Sequence, residues 1–203
     1  MLPETSTNEE DFARLTELDE RIAKAVAAGR CRKCGGPLHV ANYLRKPRGG
    51  CIAKNGEAYA LRHSLCCGRR GCRKRSLPPS LRFLGRRVYL EVVVVLASIQ
   101  AQVARTLAEA REATGVPTWT LRRWGSWWRE LLPEQAWWRE LQGWLVRPPV
   151  AAELPRSFLQ VLAGMCRPSD VMWMAARCLA PGTTTLPEAA RFVRDACPGA
   201  LPV

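Results

Sequence analysis

Two cysteine pairs, Cys31-Arg-Lys-Cys34 and Cys67-Gly-Arg-Arg-Gly-Cys72, constrain this chain more than any other feature. Cysteines separated by two residues wrap a tight knuckle and present both sulfurs to one ion, and a second pair completes a tetrahedron. The usual occupant is Zn²⁺, held about 2.3 Å from each sulfur. Gly35 and Gly36 follow the first pair, and Gly68 and Gly71 lie inside the second, where positive backbone angles are needed. Cys66 adjoins Cys67 and is the alternative partner of Cys72. The four-residue gap from Cys67 is closer to zinc loops than the five-residue gap from Cys66, which favours Cys31, Cys34, Cys67 and Cys72 as ligands. Cys51, His39 and His63 stand in reserve. The same residues could instead be reduced thiols without a ligand, or disulfides. Against a disulfide framework, the nine cysteines are an odd number, and Cys166, Cys178 and Cys197 lie at no metal spacing.

Charge is concentrated where the cysteines are. The net charge is +13, yet residues 1–20 carry seven acids against Arg14, and residues 30–90 carry sixteen Lys or Arg against the single acid Glu57. The cysteine segment therefore holds essentially the whole positive field, of the sign and size that attracts phosphates and makes affinity salt-dependent. Arg69, Arg70, Arg73, Lys74, Arg75, Arg86 and Arg87 are its candidate contacts. An acidic partner or a membrane surface would also be attracted, and a solvated basic face is the plainer alternative. The acidic first twenty residues could shield this surface until nucleic acid displaces them.

The start Met-Leu-Pro-Glu lacks the basic residues and apolar run of an export signal. The longest apolar run, Val92–Ile99, is far short of the ~20 residues that cross a bilayer. A soluble, cytoplasmic, nucleoid-associated protein with no membrane partner is expected. At 203 residues it can bury a core as one domain or two small ones.

Periodicity predicts a mainly α fold with a small β zinc ribbon. Phe12, Leu15, Leu18, Ile22 and Val26 recur at helical spacing over Glu10–Ala28, and Gly29 ends the run. Residues 1–29 thus form an acidic N-terminal helix, and residues 30–80 a ribbon with short strands around the metal. Residues 81–147 form a helical region and residues 148–203 a set of C-terminal helices. Ser80 is a possible helix cap after Leu77-Pro-Pro, and Val88–Glu112 reads as one buried helix. Near the end, Ser157–Met165 and Ser169–Leu179 read as short helices, with Thr185-Leu-Pro-Glu188 as a capping box opening a last one to Ala196.

The segment Arg105–Trp124 has the shape of a helix-turn-helix. Gly115 makes the turn, Val116 follows as its apolar residue, Pro117 or Thr118 opens the second helix, and Leu121 and Trp124 face inward. Trp119, Thr120, Arg122 and Arg123 would then point outward, where arginine pairs with guanine and threonine meets a base edge or a thymine methyl. One departure is that the small residue usually found four before the turn glycine is Arg111, with Ala110 beside it. An ordinary helical hairpin is the plainer reading. Two Trp-Trp-Arg-Glu repeats follow, at Trp127 and Trp137, on either side of Pro133. Aromatics interleaved with arginine can stack single-stranded bases. They can equally fill a small core or form a partner-binding patch.

The run Cys31–Leu96 resembles the zinc-ribbon segments of proteins encoded by bacterial insertion sequences, particularly at Cys34-Gly-Gly-Pro-Leu-His39, Arg45-Lys-Pro-Arg-Gly49 and Cys72-Arg-Lys-Arg-Ser76. A ribbon followed by a helix-turn-helix is similar to the DNA-recognition half of several insertion-sequence transposases. The resemblance implies recognition of an element end or a promoter in double-stranded DNA, alongside a transposase or other mobile-element protein. No catalytic half accompanies it. After Gly115 the acids Glu130, Glu134, Glu140, Glu153, Asp170, Glu188 and Asp195 sit in helical, tryptophan-rich or turn contexts. Strand transfer at paired metal ions needs carboxylates converging from a strand-rich domain. A binding protein is expected rather than an enzyme; an RNA or single-strand binder, a protein scaffold and a reduced transposase or nuclease are the alternatives.

Overall fold

The computed structural model describes residues 9–45, 60–84, 91–186 and 188–197. It is mainly helical with small antiparallel sheets. Helix α1 (Glu9–Ala27) leads into strands β1 (Leu38–Val40), β2 (Tyr43–Leu44), β3 (Leu61–Arg62), β4 (Leu65–Cys67) and β5 (Arg75–Ser76). Then come α2 (Glu91–Val103), α3 (Leu107–Thr114), α4 (Thr118–Ser126) with a π-helical turn (Trp127–Leu131), α5 (Ala136–Gln142), α6 (Arg156–Ala163), α7 (Val171–Leu179) and α8 (Ala189–Ala196). Among these residues, 9–84 and 179–197 form one compact unit and 91–178 another. No described helix is long and apolar enough to cross a membrane.

In the first unit α1 buries Leu18, Ile22, Ala23 and Val26 and packs along α8, which buries Ala189, Val193 and Ala196. Strands β1, β4 and β5 form one antiparallel sheet with β4 central, and β2 pairs with β3. The register sets His39 opposite Cys66 and Cys66 opposite Arg75, so these three share one face of the sheet. Leu65 and Cys67, one residue either side of Cys66, are buried on the other.

A carboxylate on the inner face of α1 ties the helix to the chain just after β5. Asp19, 1 % exposed, accepts from Ser80 Oγ at 2.6 Å, from the Leu81 N–H at 2.6 Å and from Arg82 Nε at 2.9 Å. Arg82 Nη2 also donates to the Leu61 carbonyl, and the neighbouring buried Arg62 donates to Pro78 O. Ser80 accepts from the Arg82 and Phe83 N–H groups, making it a buried hub of a bend in place of the expected helix cap. Beside this hub, where Thr183 Oγ1 accepts the Ser80 N–H, the expected Thr185–Glu188 capping box is replaced: Glu188 precedes α8 with no side-chain cap. Thr184 donates to Leu77 O and accepts the Leu186 N–H, which turns the chain one residue earlier.

His63, half-buried in this region, has its pKa held below the usual imidazole value of 6.5, first by burial and next by the charge of Arg82. The folded protein therefore favours the neutral ring. This contribution is complete above 6.5 and is lost as pH falls through that value towards the folded pKa. His63→Gln is expected to flatten the decline of Tm between about pH 7 and pH 5; an unchanged decline would remove His63 as its source.

In the second unit the expected single helix over Val88–Glu112 is two helices where it is described. Thr106 breaks it: its Oγ1 accepts the Glu109 N–H, and Glu109 Oε2 accepts the Arg105 N–H, a reciprocal cap on α3. The break lets α2, α3 and α4 pack against one another. Half of the tryptophans between Trp124 and Trp144 are core, while Trp127 and Trp137 are partly exposed and Trp144 is exposed. Trp124, Trp128 and Trp138 are fully buried. Trp128 Nε1 donates to Ser98 Oγ at 3.0 Å, which donates on to Val94 O, while Trp138 meets Phe158 edge-on.

Candidate metal centre and nucleic-acid interface

The two knuckles bring Cys31, Cys34, Cys67 and Cys72 together, with all four sulfurs within 4.8 Å of one another. Cys31 Sγ lies 3.7 Å from Cys72 Sγ, and Cys34 Sγ lies 3.5 Å from Cys67 Sγ. Four sulfurs about 2.3 Å from a central ion define a tetrahedron with edges of about 3.8 Å. A disulfide needs about 2.05 Å. The spacing thus fits a four-coordinate ion and excludes disulfides. Cys66 is not part of the cluster; its Sγ sits 3.4 Å from Arg73 O on the opposite face of β4. His39 and His63 also stay out of it, and Cys51 lies outside the described residues.

Electrostatics point the same way. Backbone N–H groups two residues on donate to three of the sulfurs: Gly36 to Cys34, Arg69 to Cys67 and Lys74 to Cys72. The Gly36 N–H, aided by the Cys72 thiol, lowers Cys34 to about 7. The Arg69 N–H favours a Cys67 thiolate too, but burial and the neighbouring sulfurs outweigh it and push Cys67 up to about 12. Cys72 is raised for similar reasons, with Cys34 as its main opponent. One thiolate therefore resists the next, and a central divalent cation is the group that lets all of them ionise. Gly36 is close-packed against this cluster: a Cβ there would lie 3.0 Å from Cys67 Sγ and 3.4 Å from Cys34 Sγ.

The unequal ligand spacings have a structural explanation. In the first knuckle the N–H groups of Cys34 and Gly35 both bond to Cys31 O. In the second, those of Cys72 and Arg73 both bond to Arg69 O. Arg69 thus occupies the turn position that Cys31 holds in the first knuckle, and the ligand Cys67 stands two residues earlier. The left-handed residue after each second ligand is Gly35, with φ 68°, in one knuckle and Arg73, with φ 46°, in the other. A side chain in that region costs about 1–2 kcal/mol. Arg73→Gly should therefore raise stability by about 1 kcal/mol, measured by denaturant unfolding of the metal-loaded protein; a loss of stability would contradict this.

Arg69, Arg70, Arg73, Lys74 and Arg75 are all exposed. Arg69 Nη1 donates to Cys34 O at 3.0 Å, so this side chain links the two knuckles. Arg75 donates to Ser64 Oγ and lies with its guanidinium carbon 5.6 Å from the Tyr43 ring, which Arg45 approaches at 6.0 Å. Tyr43 and Arg45 were not among the sequence candidates. Their separation by one residue in an extended segment, which puts both on one side of the strand, was the available signal. Arg86 and Arg87 lie outside the described residues.

In the second unit Gly115, at φ 67°, ends α3 with its N–H on Arg111 O, and α4 starts at Thr118 after Pro117. Val116, Leu121 and Trp124 are buried, as the spacing predicts. The small residue packed inside α3 is Ala110, fully buried, rather than Arg111. Trp119, Arg122 and Arg123 are exposed. Thr120 corrects the sequence reading: it is 1 % exposed because it shares the inner face with Leu121 and Trp124, one and four positions on. No protein-family model, curated protein or solved structure matches this chain.

Proposed function

We propose that this is a zinc-stabilised, sequence-recognising binder of double-stranded DNA, an accessory or regulatory protein of a bacterial mobile element acting in the cytoplasm. The observation that carries the reading is the outer face of α4. Directly after a left-handed glycine turn it carries Trp119, Arg122 and Arg123, while Thr120, Leu121 and Trp124 anchor its inner face. This is the arrangement in which a helix-turn-helix offers its second helix to the major groove. Zn²⁺ on Cys31, Cys34, Cys67 and Cys72 would hold the ribbon together. Four thiolates close the coordination sphere and leave no position for a reacting water, which favours binding over hydrolysis. Arg70, Arg73, Lys74 and Arg75 would contact phosphate. The burial of Trp128 and Trp138 leaves at most one ring of each tryptophan repeat, Trp127 and Trp137, for base stacking. A single-strand or RNA reading keeps one specific support, the Tyr43 ring between Arg45 and Arg75.

Retention from a pool of randomised duplex, single-stranded DNA and RNA separates these readings. Enrichment of a duplex motif is expected. Arg122→Ala should then relax base preference. Lys74→Ala should weaken all sequences alike and lower the salt slope by about 0.9. Equal losses across sequences for both substitutions would sink the recognition-helix assignment, and preferential retention of single strands would move it to Tyr43.

A further inference from the structure

On the outer face of α4 one arginine is held differently from the other. The guanidinium carbon of Arg123 lies 4.9 Å from the centroid of the Trp119 ring. The two residues are four apart on the helix, the spacing at which side chains stack along one face. Trp119 is 60 % exposed, so its ring adds little to the core, and burial of the unit does not explain an indole there. Arg122, also exposed, has no ring beneath it among the described residues.

We infer that Trp119 is a positioning residue that presents Arg123 to a guanine, which makes Arg123 a specificity-determining residue of the helix alongside Arg122, and guanine-containing duplex DNA its ligand. This rests on the duplex-reading proposal above. A planar guanidinium satisfied through its face by an aromatic ring keeps its N–H edge free. That edge forms the fork that matches O6 and N7 of guanine in the major groove. A long side chain otherwise gives up rotamer freedom on binding, and stacking removes part of that freedom beforehand. Lysine has neither the plane nor the fork, so charge alone cannot replace this pair.

The test is selection from a randomised duplex pool by the full, metal-loaded chain and by Arg123→Lys, Trp119→Ala and Trp119→Phe. The wild-type motif is expected to contain a guanine whose preference over other bases is roughly 5- to 150-fold. Arg123→Lys should abolish preference at that position only. Trp119→Ala should reduce it at the same position while the rest of the motif stands, and Trp119→Phe, which keeps an aromatic face, should restore most of it. Because Trp119 is exposed, unchanged unfolding midpoints are expected for both of its variants. A motif that survives Trp119→Ala unaltered, or that fades evenly at every position, would overturn the positioning role but leave duplex reading intact. A wild-type pool with no motif would overturn duplex reading and this inference together.

Discussion

Cys67→Ser is expected to release the metal and unfold the ribbon, with loss of sheet signal in circular dichroism and of one equivalent of metal by mass spectrometry. Binding of structural zinc contributes about 10–16 kcal/mol in small zinc-dependent units, against a total stability for ordinary domains of about 5–15 kcal/mol. The strands around the cysteines are two or three residues long, and the apolar side chains they bury are Leu65 and Cys67. Without the ion, four sulfurs held within 4.8 Å become a source of repulsion as they ionise. A strong chelator acting on the wild-type chain should reproduce the loss, and Cys66→Ser should not, since Cys66 lies on the opposite face of β4. Full metal content in Cys67→Ser would overturn the ligand assignment; full stability after chelation would overturn the structural role of the metal.

The second large effect is expected at Asp19. This carboxylate accepts from Ser80, the Leu81 N–H and Arg82, and both it and Arg82 are shut away from water. Removing one partner of a buried pair leaves the other charge uncompensated, at about 3–5 kcal/mol. Asp19→Ala should lose that much, read from denaturant unfolding. The loss should be larger than usual because Arg62, a second buried guanidinium, adds like charge nearby and is itself depressed by burial. Asp19→Ala combined with Arg82→Leu should recover part of the loss, since no bare charge then remains. A double variant no better than the sum of its singles would mean that Asp19 acts through its bonds to Ser80 and Leu81 alone.

How far such features could be read in advance depended on whether their signal was local. The knuckles were legible because metal ligation fixes both residue type and spacing, and Cys67 could be preferred over Cys66 by gap length. Helix α1 and the anchoring of α4 by Leu121 and Trp124 followed from apolar periodicity. Asp19 carries no local signal of its role: it sits next to Leu18 and three positions before Ile22, on the inner side of the same helix, but its partners lie about sixty residues away. Thr120 was misplaced because a polar residue beside arginines suggests the outer face, while helical phase puts it with Leu121 and Trp124. The break at Thr106 was hidden by an alanine-rich run, in which one reciprocal cap outweighs a continuous helical pattern. Trp119 and Arg123 are placed on the outer face by helical phase, and their spacing of four permits the stacking, which spacing alone does not separate from two independent contacts.

The ribbon unit draws its described residues from two separated stretches, 9–84 and 179–197, with the whole of the helical unit between them in sequence. During synthesis the four clustered cysteines leave the ribosome more than a hundred residues before Leu179. A nascent chain at that stage can gather its sulfurs around an ion, yet Ile22 and Val26 still lack the face of α8 that Ala189 and Val193 supply. Any ion these four sulfurs take up can therefore be captured early, whereas the core beside them closes late. The described residues of the helical unit, 91–178, are contiguous and emerge in the interval.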